Sequence, residues 1–386
     1  MRTLWEIFFV ALKLGCTSFG GPIAHLGYFQ QEYIQKRKWL TNDTYSQLVA
    51  LSQFLPGPAS SQVGMGIGLL RGGILGGIVS FLGFTLPSAL LLMFFAYFYT
   101  HTTLDMGWTQ GLKLVAVAIV AQAIVDMSKK LLTNSYHIAI AIGVLILMLV
   151  WVHPLAQITA ISMAAIVGYY WFRGNSQSVN VYTINLPMTK KVGMGCLLLF
   201  VLLLVSLPIA ATYINNEWLI LAEKFYMAGA FVFGGGHVVL PLLEAQFVHS
   251  GLLSSADFLA GYGVTQAVPG PLFTFAAYIG MTVAGVFGAT VAIVAIFLPA
   301  FLLVVGVLPF WFTYGQHAKL RGAMMGANAA VVGILTAAFV QPIVIDTIHS
   351  ALDGVLACIF FLCLLRWKVQ PYLLVAIGIV VGLLFY

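Results

Sequence analysis

Phe19-Gly20-Gly21-Pro22 and Pro56-Gly57-Pro58 interrupt two apolar stretches of this chain with residue types that end helices. Both motifs return in the second half as Phe233-Gly234-Gly235 and Pro269-Gly270-Pro271, 214 and 213 residues further on. Other pairs keep nearly the same spacing, namely Gly15 with Gly229, Gln53 with Gln266, Pro87 with Pro299, and Gly111 with Gly322. This sustained register indicates two copies of one unit.

The first copy is assigned to residues 1–172 and the second to residues 216–386. Between them, residues 173–215 contain a polar linker and then an apolar segment that is long enough to cross a bilayer once. If the first copy begins and ends on one side of the membrane, this single crossing turns the second copy upside down.

The composition excludes a soluble protein. Of the 386 residues, 61% are hydrophobic and 7% are charged, whereas soluble domains carry about 25% charged residues. The uncharged stretches have the length of spanning helices, about 20 residues, and lack the alternation of barrel strands. The predicted fold class is an all-α polytopic membrane protein with two inverted-topology repeats.

Each copy is predicted to begin with two re-entrant helical hairpins, broken at the Gly and Pro motifs. A continuous span over residues 60–80 would bury Arg71, and an arginine at mid-bilayer costs about 2.5–3.5 kcal/mol. We expect hairpins at 4–34, 44–70, 218–248 and 258–280, and full spans at about 74–99, 110–128, 136–152, 154–172, 286–313, 323–345, 350–366 and 370–386. The alternative is thirteen full crossings, which would separate Lys36-Arg37-Lys38 from the other basic residues.

In the hairpin topology, nearly all basic residues fall on one side, which the positive-inside rule makes cytoplasmic. The amino end is then inside and the carboxyl end outside. The cytoplasmic position of the basic residues therefore explains the net charge of +6, and we expect no nucleic-acid partner. We expect no metal and no cofactor, because the four cysteines lie in apolar segments without metal-ligand spacing, at Cys16, Cys196, Cys358 and Cys363.

The interruptions are the predicted binding site for an anion. A new helix begins after each one, and its first N–H groups and positive dipole end can bind an anion without an ionised side chain. The glycines expected to admit the anion to free amides are Gly20, Gly21, Gly57, Gly234, Gly235 and Gly270. The prolines expected to hold the breaks open are Pro56, Pro58, Pro269 and Pro271. The side chains expected to donate hydrogen bonds are Ser60, Ser61, Gln62 and Thr274.

The alternative interpretation is that Gly and Pro only kink the helices, and that Ser and Thr cap the carbonyls freed by the kinks. Similarly, the glycines between Gly64 and Gly76 are expected to let helices pack closely. Arg71 is interpreted as the end of a hairpin, with attraction of an anion as the alternative.

Few other ionisable residues lie in apolar segments. Lys13 is the expected counter-charge for the anion, whereas Lys113 is close enough to a helix end to snorkel. His25 and His237 follow the two Gly-Gly pairs and could bind an oxyanion as imidazolium or carry a coupling proton. A neutral histidine bonded to a backbone carbonyl is the alternative. Glu244 and Asp126 are further candidates for carrying a proton.

With these motifs, the chain resembles the chromate transporter family in its long form, which has two fused homologous domains. The resemblance rests on Ser18-Phe19-Gly20-Gly21-Pro22, Arg37-Lys38-Trp39-Leu40 and Gln53-x-x-Pro56-Gly57-Pro58, and on Phe233-Gly234-Gly235-Gly236 and Gln266-x-x-Pro269-Gly270-Pro271 in the second domain. It implies export of chromate across the bacterial inner membrane, driven by the chemiosmotic gradient, with sulfate as a look-alike substrate.

The expected function is a secondary active transporter of a tetrahedral oxyanion, with chromate efflux by alternating access as its activity. The alternatives are a carrier of sulfate or another inorganic anion, an anion channel and, more remotely, an intramembrane enzyme. No catalytic residue is predicted, because the sequence has no H-E-x-x-H, G-x-S-x-G or paired catalytic carboxylates. The expected partners are a small inorganic oxyanion and the lipid bilayer, and the sequence leaves open whether the protein forms a homodimer.

Overall fold

The computed structural model describes residues 1–101, 107–151, 154–172, 188–233, 236–314 and 318–386. Within these ranges the chain is helical and contains no strand. The first copy contains α1 (Arg2–Thr17), α2 (Gly21–Phe29), α3 (Asn42–Phe54), α4 (Ala59–His101), α5 (Gly107–Leu131), α6 (Ser135–Val150) and α7 (Pro154–Trp171). A π-helical segment, Gln30–Lys36, extends α2.

The helix α8 (Lys190–Tyr213) leads into the second copy, and most of the polar linker before it lies outside the described residues. The second copy contains α9 (Glu217–Ala230), α10 (Val239–Phe247), α11 (Ser255–Thr265), α12 (Phe275–Tyr314), α13 (Ala318–Ala338), α14 (Ala351–Leu365) and α15 (Pro371–Phe385). Short 3₁₀ turns at Gly236–Val238 and Leu272–Thr274 precede α10 and α12.

The predicted all-α membrane fold is confirmed. Five helical segments in the described part of the chain are long and apolar enough to cross a membrane, at Ala59–His101, Gly107–Leu131, Lys190–Tyr213, Leu272–Trp311 and Lys319–Val344. Shorter apolar helices occur at Ser135–Val150, Ala351–Leu365 and Pro371–Phe385.

The first predicted hairpin is present, because the chain reverses between α1 and α2. Lys13 Nζ on α1 lies 3.1 Å from Glu32 Oε2 on the return arm. Nearer the hairpin ends, Arg37 Nη1 lies 3.6 Å from Glu6 Oε1. The start of α1 and the end of the return arm therefore lie at the same end of the molecule.

The second hairpin ends at Arg71, as predicted. Its Nη2 atom lies 2.8 Å from Glu6 Oε2, and its guanidinium lies 4.1 Å from the ring centroid of Trp39. The helix α4 then reverses at Gly72-Gly73, where the backbone leaves helical geometry. Gly68 and Gly76 face each other across this reversal so closely that a Cβ on either would overlap backbone atoms. This confirms the close packing expected of these two glycines.

The second copy repeats this plan. In its first hairpin, Lys224 Nζ donates to the carbonyl of Gln246 at 3.0 Å. In its second hairpin, the hydroxyl of Tyr278 donates to the carbonyl of Asp257 at 3.0 Å. The helix α12 reverses at Ala284-Gly285, as α4 does at Gly72-Gly73.

The two copies are inverted with respect to each other. Tyr99 lies near the end of α4 that is distant from Arg71, and its hydroxyl donates to Asp257 Oδ1 at 2.9 Å. Asp257 lies in the first turn of α11, at the outer end of a second-copy hairpin. The hairpins of the second copy therefore open at the end opposite to Glu6 and Arg71.

One predicted span differs from the structure. The segment predicted over 323–345 is not one continuous α-helix, because α13 ends at Ala338 and a π-helical segment covers Phe339–Val344. Pro342 lies within that segment, and Gln341 before it has non-helical dihedral angles. A proline restricts the preceding residue to extended geometry, which explains the end of the α-helix here.

Candidate functional site

The two Pro-Gly-Pro breaks are hydrogen-bonded to the opposite copy. The N–H of Gly57 donates to the carbonyl of Val232 at 2.7 Å, and the N–H of Gly270 donates to the carbonyl of Ser18 at 2.9 Å. Ser18 and Val232 hold the same place in the two copies, at the end of the first half-helix. An unpaired backbone N–H or carbonyl is costly inside a membrane. Each copy therefore supplies the hydrogen-bond partner for a backbone group at a break of the other copy.

This geometry corrects the expectation that the amides of Gly57 and Gly270 are free to bind an anion. Both residues have positive φ, of 120° and 104° respectively, which favours glycine. A Cβ on Gly57 would lie 2.9 Å from the Cβ of Ala300, and one on Gly270 would lie 2.8 Å from Ser88 Oγ. The glycines are therefore required by the junction between the copies, whatever the ligand.

All four breaks nevertheless line one cavity of about 480 Å³. The first break contributes Gly20 and Gly21, and the two Pro-Gly-Pro breaks contribute Gly57 and Gly270. Gly236, which directly follows the Phe233-Gly234-Gly235 motif, lines the cavity for the remaining break. Helical segments begin at these points, and the first N–H groups of a helix have no partner within it. The cavity wall therefore includes several helix N-termini, which attract negative charge.

Two carboxamides line the same cavity and are incompletely hydrogen-bonded. Gln266 Nε2 and Asn328 Oδ1 are buried and have no hydrogen-bond partner among the described residues. Leaving such a group unsatisfied costs about 1–3 kcal/mol. Buried polar groups without protein partners indicate bound water or a ligand. Gln266 belongs to the duplicated motif and could have been identified from it, whereas Asn328 gives only the signal of a lone polar residue in an apolar helix.

Charged residues lie at the mouth of the cavity. Asp126 and Lys130, near the end of α5, and Lys368, after α14, line the cavity and are exposed. Trp108 at the start of α5 packs against Tyr99, so α5 runs back toward the Arg71 end and brings Lys130 there. In the described part of the chain, neither lysine forms an ion pair. The mouth therefore has two lysines available to attract an anion.

Lys13 does not line this cavity. Its ammonium contacts Glu32, and the same carboxylate lies 3.6 Å from Lys36 Nζ and 3.0 Å from Arg37 Nε. This corrects the expectation that Lys13 supplies a free counter-charge, because its ammonium is paired with Glu32. Glu32 and Lys36 are four residues apart, a spacing at which opposite charges on a helix meet.

Two of the four predicted side-chain donors bond to the breaks themselves. Gln62 Nε2 donates to the carbonyl of Pro56 at 2.7 Å, and Thr274 Oγ1 donates to the carbonyl of Pro271 at 2.6 Å. His25 is buried, and its Nδ1 atom lies 3.2 Å from Ser60 Oγ. These contacts favour the alternative in which such side chains cap the kinked backbone. They also show that His25 connects the first break to the second.

Three predicted positions cannot be placed. Gly234 and Gly235 lie outside the described residues, and so does the side chain of His237. Of the remaining donors, Ser61 is buried, and its hydroxyl has no hydrogen-bond partner among the described residues.

Two inverted repeats whose helix breaks line one cavity have an architecture that many membrane transporters share. A family model described as "Chromate transporter" matches residues 5–169 and again residues 219–383. The chain therefore belongs to the chromate transporter family.

Curated relatives cover nearly the whole chain. It is 27% identical to a chromate transport protein of Cupriavidus metallidurans over 100% of this chain and 94% of that protein. It is 28% identical to a probable chromate transport protein of Synechococcus elongatus, over 85% of this chain and 82% of that protein. It is 25% identical to an uncharacterized transporter of Methanocaldococcus jannaschii, over 98% and 94% of the two chains. No solved structure matches the chain.

Proposed function

We propose that this protein is a secondary active transporter that exports chromate across a bacterial inner membrane by alternating access. The amino end and the lysine-lined mouth of the cavity face the cytoplasm, as the positive-inside rule favours. Chromate enters from that side, binds at the centre of the cavity and leaves on the other side. The chemiosmotic gradient drives the cycle.

The observation that carries this proposal is that all four helix breaks line one cavity. Chromate is a tetrahedral dianion, so it needs hydrogen-bond donors from several directions when it loses its hydration water. Helix N-termini from both copies provide donors that are fixed in place and carry partial positive charge. This arrangement binds a dianion without burying a fixed cation beside it.

Polar side chains complete the binding site. Gln266 Nε2 is a buried donor without a hydrogen-bond partner among the described residues, and it replaces one hydration bond of the anion. The carboxamide of Asn328 presents either a donor or an acceptor, depending on which way the group is turned. Lys130 and Lys368 raise the local concentration of anions at the mouth and stay in contact with water.

The junction between the copies acts as the fulcrum for alternating access. Gly57 and Gly270 join the breaks of the two copies through hydrogen bonds. Rocking of one copy against the other around this junction closes the cavity on the lysine side and opens it on the opposite side. The anion site stays at the junction while access changes.

Inside-out membrane vesicles test this function. Vesicles from cells that produce the protein should accumulate chromate when they are energised, and a protonophore should abolish the accumulation. Vesicles without the protein are the control. Excess sulfate shows whether the two dianions share the site. Uptake of sulfate alone would identify a sulfate carrier, and flux that persists without any gradient-driven accumulation would identify a channel. Absence of any chromate uptake would contradict the proposal.

A further inference from the structure

A second cavity, of about 280 Å³, lies at the end of the molecule opposite to the lysine-lined mouth. Its polar lining comes from Gln157, Glu244, His249, Gln341 and Asp346. Glu244 is on α10, the return arm of the first hairpin in the second copy, and His249 follows in the exposed loop. The proposed chromate site does not use these residues.

The return arm of the first hairpin carries a buried carboxylate in both copies. Glu32 and Glu244 have side chains that are 7% and 5% exposed, and each precedes a basic residue by five positions. The carboxylate of Glu32 is surrounded by three fixed cations, from Lys13, Lys36 and Arg37. Among the described residues, the carboxylate of Glu244 is paired only with His249, whose Nε2 atom lies 3.1 Å from Glu244 Oε1.

In the part of the chain that the structure describes, the other elements packed around α10 add no fixed cation at this carboxylate. On α9, Lys224 donates to the carbonyl of Gln246, and Glu223 lies beside it in sequence. On α7, Gln157 is neutral and donates to the carbonyl of Pro241. The helix α13 lines the cavity with apolar side chains, and Asp346 follows it. On α11, Asp257 accepts hydrogen bonds from Tyr99 and Ser254. The side chain of His237, before α10, lies outside the described residues.

A buried carboxylate without a fixed counter-charge favours its protonated form. Although His249 is close, Glu244 Oε1 has no aligned hydrogen bond among the described residues. Partial burial also lowers the pKa of the His249 imidazole, and a histidine, unlike a lysine or an arginine, is not a permanent cation. Binding of one proton would therefore remove the uncompensated charge of this buried carboxylate.

We propose that Glu244 and His249 form a proton-binding site that exchanges with the aqueous phase opposite to the lysine-lined mouth. The proton adds to a carboxylate oxygen of Glu244, and His249, at the exposed rim, relays it to and from water. Asp346 at the cavity wall increases the local concentration of protons. The use of this proton as the coupling ion rests on the proposed function, but the existence of the site does not.

Carbodiimide labelling tests the site without measuring transport. Dicyclohexylcarbodiimide adds to protonated carboxyl groups in apolar surroundings, and mass spectrometry of the purified full-length protein identifies the modified residue. Glu244 should be labelled at about pH 6, and the labelling should fall about tenfold per pH unit once the pH exceeds the pKa of the site. Glu32 is the internal control and should stay unlabelled at every pH, because its three cations keep it ionised.

The variant His249→Arg gives Glu244 a fixed cation, as Arg37 does for Glu32. It should reduce labelling of Glu244 at least tenfold at every pH, while the protein stays monodisperse in detergent. The pH profile of the wild-type protein needs no variant and keeps the test valid if His249→Arg fails to fold. Absence of Glu244 labelling across the whole pH range, or equal labelling of Glu32 and Glu244, would overturn the proposal. Chromate flux in vesicles is a separate readout, so failure of this site is distinguishable from failure of the proposed function.

Discussion

The two copies agree closely in their backbone and differ in their charges. In both, the Pro-Gly-Pro glycine donates to the end of the first half-helix of the other copy, and a polar side chain after the break caps a freed carbonyl. In contrast, the first copy has Lys13, Lys36 and Arg37 around its buried carboxylate, whereas the described residues of the second copy pair theirs only with His249. The backbone features that the copies share form the junction between them. The side chains that they do not share give the two ends of the molecule different chemistry.

This difference separates what the fold needs from what directional transport needs. A perfectly symmetric pair of inverted repeats would present the same groups to both sides of the membrane. Here the lysine-lined cavity opens at one end, and the cavity lined by Glu244 and His249 lies at the other. Substitutions at shared positions should therefore affect the whole cycle, and those at unshared positions should affect one end only.

The largest effect is expected at the shared glycines. Gly57→Val and Gly270→Val should each abolish chromate transport and lower the thermal unfolding temperature, because the backbone conformation disfavours a side chain by roughly 1–3 kcal/mol and the Cβ would meet Ala300 or Ser88. Flux assays and thermal denaturation in detergent measure both. Gly143→Val is the control, since no atom lies within 4 Å of a Cβ at that position. Near-normal flux in either glycine variant would contradict the junction.

An intermediate effect is expected at the cavity carboxamides. Gln266→Leu and Asn328→Leu should each raise the KM for chromate about tenfold, which corresponds to about 1.4 kcal/mol of lost hydrogen bonding. The folded protein should not lose stability, because the atoms removed include buried groups that have no hydrogen-bond partner in the part of the chain that the structure describes. Gln31→Leu, at an exposed position on the first return arm, is the control. An unchanged KM in both cavity variants would remove these side chains from the site.

The smallest effect is expected from the lysines, and it should distinguish the mouth of the cavity from the hairpin. Lys130→Gln and Lys368→Gln should each raise the KM a few-fold, and the difference should shrink at high ionic strength because exposed charges are screened. Lys13→Gln should change the KM less than twofold, since Glu32 keeps Arg37 as a partner. If Lys13→Gln raised the KM more than Lys130→Gln or Lys368→Gln does, Lys13 would be the counter-charge for the anion after all.

The fold was predictable because its signals are local. Gly and Pro at the breaks, their duplication, and the position of Arg71 were enough to predict inverted hairpins. The cross-copy hydrogen bonds of Gly57 and Gly270 were not predictable, because no local pattern indicates which distant carbonyl an amide will meet. The partner of Lys13 was missed for a similar reason, since Glu32 lies 19 residues away and approaches only when the hairpin closes.

The polar lining of the cavity was only partly predictable. Gln266 is marked by its match with Gln53, whereas Asn328 stands in a helix of small apolar residues without a polar counterpart in the first copy. The predicted donors Gln62 and Thr274 follow the breaks closely in sequence, but their side chains donate to backbone carbonyls of the breaks. A freed carbonyl in the membrane interior competes for such donors as strongly as a ligand does.

Anomalous X-ray diffraction at the chromium absorption edge, from crystals grown with chromate, tests the central claim most directly. The account predicts one dominant chromium peak in the cavity where the four breaks meet, within reach of Gln266 and Asn328. A dominant peak anywhere else, with none in this cavity, would contradict it.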